Sequence, residues 1–299
     1  MKYTNRHNFP EFVQQWLQFD EYDYNPDTIS ATTLMAPAKA YALKKQNFDD
    51  LEIDIADLVA SRYGTAIHDS VEKVKLKDCL QEERLKKILL GKTIKEKFDI
   101  LHQISQANGK PVYELIDVKS TSVWSVVYNS KEEDYIKQLS IYRYLAIENG
   151  YEVVGDAKIW MVFTDWSQAK AKADPEYPQA RLYIKEIKLW TPKETEEWIE
   201  QRINDLEDAA NRTQAEMPDC TDKELWADED KWAIMKEGRK SAVKLHTDED
   251  AAKKQLGTLD DKHSIVKRPG QVKRCKYCTA SKFCDQYQRM IQEGRINES

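Results

Sequence analysis

The chain has 299 residues, enough for a substantial hydrophobic core, and 33% of them are Asp, Glu, Lys or Arg. A net charge of −6 and a mean hydropathy of −0.74 exclude a strongly basic protein that coats nucleic acid by charge alone. Because the sequence contains no apolar run of roughly 20 residues and no apolar signal-peptide region near its start, we expect a cytoplasmic protein without a membrane partner. If the gene is viral, this would be the host cytoplasm.

Helices are predicted at 10–19, 30–45 and 51–76. The third contains Gly64, His68 and Glu72. His68 and Glu72 are four residues apart and share one helix face. An imidazole and a carboxylate there suit a metal ligand with a supporting partner, whereas the simpler alternative is a histidine that only packs.

A β-hairpin is predicted over about 95–120, because two strand-like runs flank a Gly/Pro turn at 108–111. Asp117 and Lys119 are two residues apart and project from the same side of the second strand. Asp99, near the start of the first strand, can reach the same place. Two carboxylates beside an ammonium suit a hard divalent cation, with the lysine holding or deprotonating a water. An ordinary surface hairpin is the alternative.

The next predicted helix, 131–149, carries Gln138 and Tyr142 on one face, where an amide and a phenol can position a phosphate or a water. The alternative is a purely amphipathic packing helix. A buried strand at 151–164 is expected to run parallel to an earlier strand through this helical crossover. A strand at 181–190 and a helix at 191–215 follow, and the polar region 216–263 is predicted to form helical segments that return to the core.

Three of the five cysteines, Cys275, Cys278 and Cys284, form a C-x2-C-x5-C run. The sparse, odd number of cysteines argues against a secreted disulfide scaffold, and the spacing suggests a metal site. A group of basic residues beside this run can hold phosphates: Lys267, Arg268, Lys273, Arg274 and Lys276. A second group is better explained as a solvated charged face: Lys86, Lys87, Lys92, Lys95 and Lys97.

Taken in order, four elements resemble the RecB-type nuclease domain of the PD-(D/E)XK superfamily over about residues 28–165. They are G-x-x-x-H-x-x-x-E at 64–72, F-D-I at 98–100, I-D-V-K at 116–119 and Q-x-x-x-Y at 138–142. The resemblance implies an α/β fold, a restriction-endonuclease-like mixed sheet flanked by helices. We expect an N-terminal helical segment at 1–50, a nuclease core at 51–190, and a helical C-terminal extension with the cysteine cluster at 191–299.

The resemblance also implies roles for individual residues. Mg²⁺ or Mn²⁺ would be bound by His68, Asp99, Asp117 and the backbone carbonyl of Val118. Lys119 would orient or deprotonate the attacking water and stabilise charge on the phosphate. Catalysis would be supported by Glu72 and Gln138, and the DNA would be contacted by Gln138 and Tyr142.

The cysteine run resembles the C-terminal triplet of iron–sulfur members of this family, such as CRISPR-adaptation and AddB-like nucleases. In those proteins a fourth cysteine precedes the histidine motif, but this chain has Ala36-Pro37 where they have Cys-Pro. The fourth ligand of a [4Fe–4S] cluster or a zinc ion would then be one of the remaining candidates: Cys79, Cys220, His7 or His263. A cluster held by three thiolates, or buried thiols without a metal, are the other interpretations.

The sequence therefore favours a divalent-metal-dependent deoxyribonuclease, specifically an exonuclease acting on linear or single-stranded DNA in recombination, repair, replication or phage DNA processing. No P-loop motif occurs, so a helicase or recombination protein would have to supply ATP-driven unwinding. Two alternatives are a metal-stapled DNA-binding or adaptor subunit with an unused nuclease pocket, and an RNA or nucleotide hydrolase. A serine hydrolase has no support, because G-x-S-x-G is absent.

Overall fold

The computed structural model describes residues 1–19 and 28–296, so small parts of the predicted segments 1–50 and 191–299 lie outside the described residues. The α-helices among the described residues are α1 (Glu11–Gln18), α2 (Ala31–Leu34), α3 (Ala38–Gln46), α4 (Val59–Glu72), α5 (Trp124–Val127), α6 (Glu132–Glu148), α7 (Gln168–Ala173), α8 (Pro192–Ala210), α9 (Glu249–Leu256) and α10 (Asp285–Gln292). The strands there are β1 (Lys2–Thr4), β2 (Thr28–Ile29), β3 (Glu52–Asp54), β4 (Cys79–Gln81), β5 (Arg84–Leu89), β6 (Lys92–Lys97), β7 (Ile100–Ala107), β8 (Lys110–Thr121), β9 (Glu152–Val153), β10 (Ala157–Phe163), β11 (Leu182–Ile187), β12 (Lys231–Lys236), β13 (Lys244–His246) and β14 (His263–Arg268).

The chain divides into two compact units. The first, which we call the sheet unit, comprises Lys2–Ala36 and Glu52–Leu206. The second, the cysteine unit, comprises Pro37–Leu51 and the chain from Glu207 onward, together with Met1.

A mixed sheet with the strand order β11-β10-β8-β7-β4 forms the centre of the sheet unit, and β9 pairs with the beginning of β8. The hairpin strands β7 and β8 are antiparallel, whereas β8 and β10 are parallel and are connected through α6. The predicted mixed α/β class with flanking helices is confirmed, and so is the helical crossover between parallel strands.

Helices cover both faces of strand β8. Ile116 and Val118 pack against Ile67 and Val71 of α4. Since side chains alternate along a strand, Asp117 and Lys119 project from the opposite face, where α6 packs. The alternating sequence of β8 thus turns Ile116 and Val118 toward α4, and Asp117 and Lys119 toward α6.

The hairpin predicted at 95–120 is formed by β7 and β8, but it begins only at Ile100, because the first residues of the predicted range belong to another sheet. Strand β6 ends at Lys97 within a three-stranded sheet of order β2-β6-β5, and β7 begins at Ile100 in the central sheet. Asp99 lies in the break between these sheets. It is therefore at a junction, not within a strand.

Two predicted helices are shorter than expected. The helix predicted at 30–45 is divided at Pro37, which ends the helical backbone before it and stands at the N-terminus of α3. The helix predicted at 51–76 begins only at Val59, after β3 and a 3₁₀ turn at Ile55–Leu58. The Asp54 carboxylate initiates that turn by accepting a hydrogen bond from the Ala56 N–H at 3.1 Å.

The cysteine unit contains an antiparallel sheet of order β13-β12-β14, against which α9 packs. Of the helical segments predicted in 216–263, the one around Ala251-Ala252 is confirmed as α9, whereas Trp232 lies in β12 and Trp226 in a turn. The buried centre of β12 is only two residues long, Ala233 and Ile234, between charged ends, so no strand period is visible in the sequence. Gly270 permits a close backbone approach in this unit, since a Cβ at this position would lie 1.7 Å from the Asp228 carbonyl oxygen. Among the described residues, no helix combines the length and apolar character that crossing a bilayer requires.

Candidate functional site

Three side chains of the sheet unit converge to form a possible metal site: His68, Glu82 and Asp99. Each offers one ligand atom, and these atoms lie within 4.8 Å of one another. His68 Nδ1 is 3.4 Å from Asp99 Oδ1 and 3.7 Å from Glu82 Oε1. An imidazole and two carboxylates form a donor set that binds divalent cations, so this group can hold a metal ion.

The surrounding elements determine the position of each of these side chains. Helix α4 carries His68, and the apolar residues flanking His68 hold the helix on β8. Glu82 follows β4 with a φ of 56°, a left-handed conformation, and its N–H donates to the Asp99 carbonyl oxygen at 3.0 Å. This unusual backbone conformation turns the Glu82 side chain toward His68, as is common for strained residues at functional sites.

Asp99 links this group to strand β8. The Val118 N–H donates to Asp99 Oδ2 at 2.6 Å, which leaves Oδ1 directed at His68. Val118 thus fixes Asp99 through its N–H, and metal binding by its carbonyl oxygen stays a prediction. The Asp99 side chain is nearly buried, so its orientation is well defined.

Asp117 and Lys119 form a close pair beside this group. Lys119 Nζ donates to Asp117 Oδ1 at 3.1 Å and lies 3.0 Å from Oδ2 without hydrogen-bond geometry to that atom. The buried Asp117 Oδ2 consequently has no hydrogen-bond donor among the described residues. Such an unsatisfied buried oxygen is costly unless another group binds it, and a cation or its water would do so.

The charges of this site are strongly coupled. Without a bound cation, hydrogen bonds to Asp99 and Glu82 raise the pKa of His68 to about 10, so a metal ion binding to this imidazole would displace its proton. Burial raises the pKa of Asp117, with a further contribution from Asp99, although Lys119 opposes the shift. Burial disfavours the Lys119 ammonium, but Asp117 and Asp99 outweigh it and raise the Lys119 pKa above its usual value. Lys119 is therefore a cation at neutral pH.

A second network connects α6 to the site. Gln138 Nε2 donates to Tyr142 Oη at 3.0 Å, and the Tyr142 hydroxyl in turn hydrogen-bonds Glu96. Burial raises the pKa of Glu96 to about 7, although its hydrogen bond from the Ala31 N–H and the charge of Lys119 favour the ionised form. Tyr142 is buried, and burial followed by the charge of Glu96 raises its pKa well above the usual value.

The structure brings together most of the predicted residues but also introduces others. Glu72 ends α4 as an exposed residue, and the carboxylate that meets His68 is that of Glu82. Glu82 and Glu96 were not predicted. Neither lies in a recognisable motif. Glu82 reaches the site through the pairing of β4 with β7, and Glu96 is three residues before Asp99 at the end of β6.

In the cysteine unit, Cys220 joins the predicted triplet. Its thiol is close enough to those of Cys275, Cys278 and Cys284 for their charges to affect its pKa, which burial raises to about 12. Cys220 and Cys275 pack against one apolar cluster, around Leu225 and Met290, and Cys278 and Cys284 against another, around Leu43 and Met217. Cys79, by contrast, packs beneath α4 in the sheet unit.

Polar contacts fix Cys220 beside the beginning of α10. The Cys220 N–H donates to Gln286 Oε1 and its carbonyl accepts from Gln286 Nε2, both at 2.8 Å. The neighbouring residues Asp219 and Asp285 both contact Lys39 Nζ at 2.7 Å. Lys39 and Gln286 are almost fully buried, so the approach of these two segments is specified by the protein itself.

Comparison with known proteins gives limited information. No family model matches the chain, and no curated protein matches it. Among solved structures, the protein SSO0001 is similar with a TM-score of 0.42 and 15% identity, over 65% of this chain and 84% of that one. A protein from Eubacterium rectale that is provisionally named an exonuclease has a TM-score of 0.28 and 14% identity, over 64% of this chain and 70% of that one. Both TM-scores are below 0.5, so the functional interpretation depends on the geometry of the site.

Proposed function

We propose that this protein is a divalent-metal-dependent deoxyribonuclease. One observation carries the proposal: the ligand atoms of His68, Glu82 and Asp99 converge beside a buried pair of Asp117 and Lys119. Carboxylates, an imidazole and a fixed ammonium in one place match the needs of phosphodiester hydrolysis, in which negative charge develops on the phosphate.

The donor set fits Mg²⁺ or Mn²⁺. His68, Glu82 and Asp99 would hold the ion, and the unsatisfied Asp117 Oδ2 is available to it or to its water. Because one donor is an imidazole nitrogen, Mn²⁺ should serve at least as well as Mg²⁺. When bound, the ion supplies a water of lowered pKa and polarises the phosphate.

The protein's own residues position the substrate and the water. Asp117 holds the Lys119 ammonium in one orientation, which suits it to orient a water and to stabilise phosphate charge. Gln138 and Tyr142 form the α6 side of the site through Glu96, whose negative charge acts on Lys119. We assign to these two residues the role of positioning the substrate and the water. Gln138 is only half-buried and is therefore better placed than Tyr142 to contact DNA.

The direct test is cleavage of end-labelled linear DNA, single-stranded and duplex, in Mg²⁺ or Mn²⁺. Lys119→Ala should lower the rate about 10²- to 10³-fold, the usual effect of losing one electrostatic partner in catalysis. Lys158→Ala is a matched control, because Lys158 lies on the neighbouring strand β10 and pairs with Glu114 instead. Equal metal-dependent rates for wild type and Lys119→Ala would contradict the proposal.

The products and substrates of the same assay test the finer expectation of exonuclease action. Stepwise shortening of linear DNA, with closed circular DNA left intact, is the expected result. A helicase or recombination protein as partner, and a place in recombination, repair, replication or phage DNA processing, belong to the same proposal. DNA retention without any hydrolysis would instead indicate a binding subunit.

We further propose that Cys220, Cys275, Cys278 and Cys284 hold a [4Fe–4S] cluster. Cys220 lies close enough to the other three thiols for their charges to act on it, and the four cysteines pack against two apolar clusters. Four thiolates are the usual protein ligands of such a cluster. Such a cofactor would contribute folding energy to the cysteine unit by joining segments distant in sequence.

Anaerobic purification with visible spectroscopy and metal analysis tests this assignment. We expect broad visible absorbance and about four irons per chain in the wild type. Both should be lost or greatly reduced in Cys220→Ser and retained in Cys79→Ser, the matched control. A colourless protein with one zinc per chain, or full iron content in Cys220→Ser, would contradict the proposed ligand set.

A further inference from the structure

Two aromatic side chains stand exposed beside the cysteine cluster. Tyr277 is 77% exposed and Trp226 is 48% exposed, and their ring centroids are 6.2 Å apart at an interplanar angle of 51°. Large aromatic residues are normally buried at least in part, so a pair of them together on a polar surface calls for a ligand that binds aromatic rings.

The backbone at Trp226 strengthens this conclusion. Its φ is 51°, the left-handed conformation that ends a helical turn and that favours glycine or asparagine. The Trp226 N–H still closes that turn by donating to the Lys223 carbonyl at 3.2 Å. A bulky residue kept in a strained position on the surface is a feature of binding sites.

Positive charge accompanies the rings. The Arg274 guanidinium lies 5.1 Å from the centroid of the Trp226 ring, and Lys276 is exposed next to Tyr277. Neither cation forms an ion pair with any described residue, whereas nearby Lys273 is paired with Asp228 at 2.6 Å. Arg274 also donates to the Glu224 carbonyl oxygen at 3.2 Å, so the patch contains two positive charges that no ion pair with a described residue neutralises.

Two of the patch residues, Lys276 and Tyr277, lie between Cys275 and Cys278. The 3₁₀ helix Arg274–Tyr277 places Cys275 against an apolar cluster while the two residues between the cysteines, Lys276 and Tyr277, face solvent. A group bound by the thiols would thus also fix the loop that displays the ring and the charge. Binding at the patch and loading of the thiols should be linked.

We infer that Trp226, Arg274, Lys276 and Tyr277 form a platform on which single-stranded DNA stacks its bases. Unpaired bases have exposed π faces and a phosphate for each nucleotide, which match alternating rings and free cations. A duplex hides its base faces and offers only phosphates to this patch. The same residue types also occur at protein interfaces, but the unpaired cations and the charged surroundings favour nucleic acid. The choice of DNA rests on the proposed nuclease function.

The test is fluorescence anisotropy of labelled (dT)₂₀ with the full chain as purified anaerobically, in buffer without Mg²⁺ or Mn²⁺. Tyr277→Ala should weaken binding about 10- to 100-fold, the usual effect of removing one stacking ring. Tyr277→Phe keeps the ring and should bind like the wild type. Trp226→Asn should also weaken binding, and asparagine tolerates the left-handed backbone, so the fold is retained. Phe12→Ala, which removes an exposed ring of the sheet unit, is the control.

Binding of (dT)₂₀ by Tyr277→Ala and Trp226→Asn within two-fold of the wild type would overturn the inference. Self-association that Tyr277→Ala abolishes, with unchanged DNA affinity, would assign the patch to a second copy of the chain and also overturn it. The same variants tested on bis(p-nitrophenyl) phosphate with Mn²⁺ separate the two proposals. Their hydrolysis rate should equal that of the wild type, because this small substrate has no bases to stack. If the wild type and all variants hydrolyse none of the substrates, but DNA binding still depends on Tyr277, the proposed nuclease function is rejected and the proposed platform is retained.

Discussion

Replacing Lys39 with methionine should destabilise the protein less than neutralising the two aspartates that Lys39 contacts. The Lys39 side chain is only 1% exposed, and its ammonium lies 2.7 Å from both Asp219 and Asp285. The two carboxylates are 48% and 37% exposed and also pair with Arg289. The ammonium is thus the buried member of the network, while its partners keep contact with water.

This asymmetry sets the magnitudes. Lys39→Met removes the buried charge together with its desolvation penalty, and both aspartates retain water and Arg289. We therefore expect a loss of no more than about 1–2 kcal/mol. The double variant Asp219→Asn/Asp285→Asn leaves the ammonium buried with only neutral amides. Removing the counter-charges of a buried ion typically costs about 3–5 kcal/mol, and the amides, which still accept hydrogen bonds, should keep the loss near the lower value.

Urea denaturation of the variants, with the metal content of each preparation measured, tests this ordering. The triple variant with all three substitutions should recover most of the stability lost in the double variant, because it removes the stranded ammonium. The comparison requires similar m-values, so that a change in midpoint reports stability. A larger loss for Lys39→Met than for the double asparagine variant would refute the reasoning.

Three further predictions follow from named contacts. Glu82→Gln should lower the rate of Mn²⁺-dependent DNA cleavage at least about 10²-fold, whereas Glu72→Gln, at an exposed position, should retain activity. Equal losses of activity in the two variants would place Glu72 in the site. Burial raises the pKa of Glu96 from 4.5 to about 7, so the folded protein loses stability as the pH rises from about 4.5 to 7. In urea titrations, Glu96→Gln should therefore be more stable than the wild type near pH 8, by at most about 3 kcal/mol, and should show no such gain near pH 4. Gly270→Ala should lower the thermal midpoint sharply, since its Cβ would lie 1.7 Å from a carbonyl oxygen; Gly64→Ala, whose Cβ would have an ordinary 3.6 Å contact, should be tolerated or slightly stabilising.

The parts of the fold that the sequence predicts well are those with local signals. Strand β8, helix α6 and strand β10 are each rich in apolar residues over their length, so their type and order can be predicted along the chain. Asp117 and Lys119 interrupt the apolar run of β8 at alternate positions, which makes their common side predictable as well. Pro37, a residue that breaks helices, was included in a predicted helix because the apolar pattern continues on both sides of it.

Glu82 was not predictable, because no local pattern relates it to His68. It reaches the site through the antiparallel pairing of β4 with β7 and through its own left-handed backbone conformation. A single sequence carries little information on which distant strands pair or on where the chain departs from regular geometry. The four-residue spacing on helix α4, in contrast, predicts Glu72 as the partner of His68, but Glu72 is exposed at the end of that helix.

Cys220 illustrates the same limit for the cysteine unit. The sheet of β12, β13 and β14 separates it in sequence from the other three cysteines, so spacing alone cannot rank it above Cys79. Its position depends on Gln286 and Lys39, whose polar contacts bring residues 219–220 to the start of α10. Because Ala36 stands where the resembled iron–sulfur proteins have a cysteine, a cofactor held by Cys220 would join segments of the cysteine unit only. The His68 group lies wholly in the sheet unit, with its own packing against β8. Each proposed metal site thus takes its ligands from one unit, and we expect loss of the cysteine ligands to weaken the proposed platform of Trp226 and Tyr277 and to leave the ligands of the proposed catalytic ion in place.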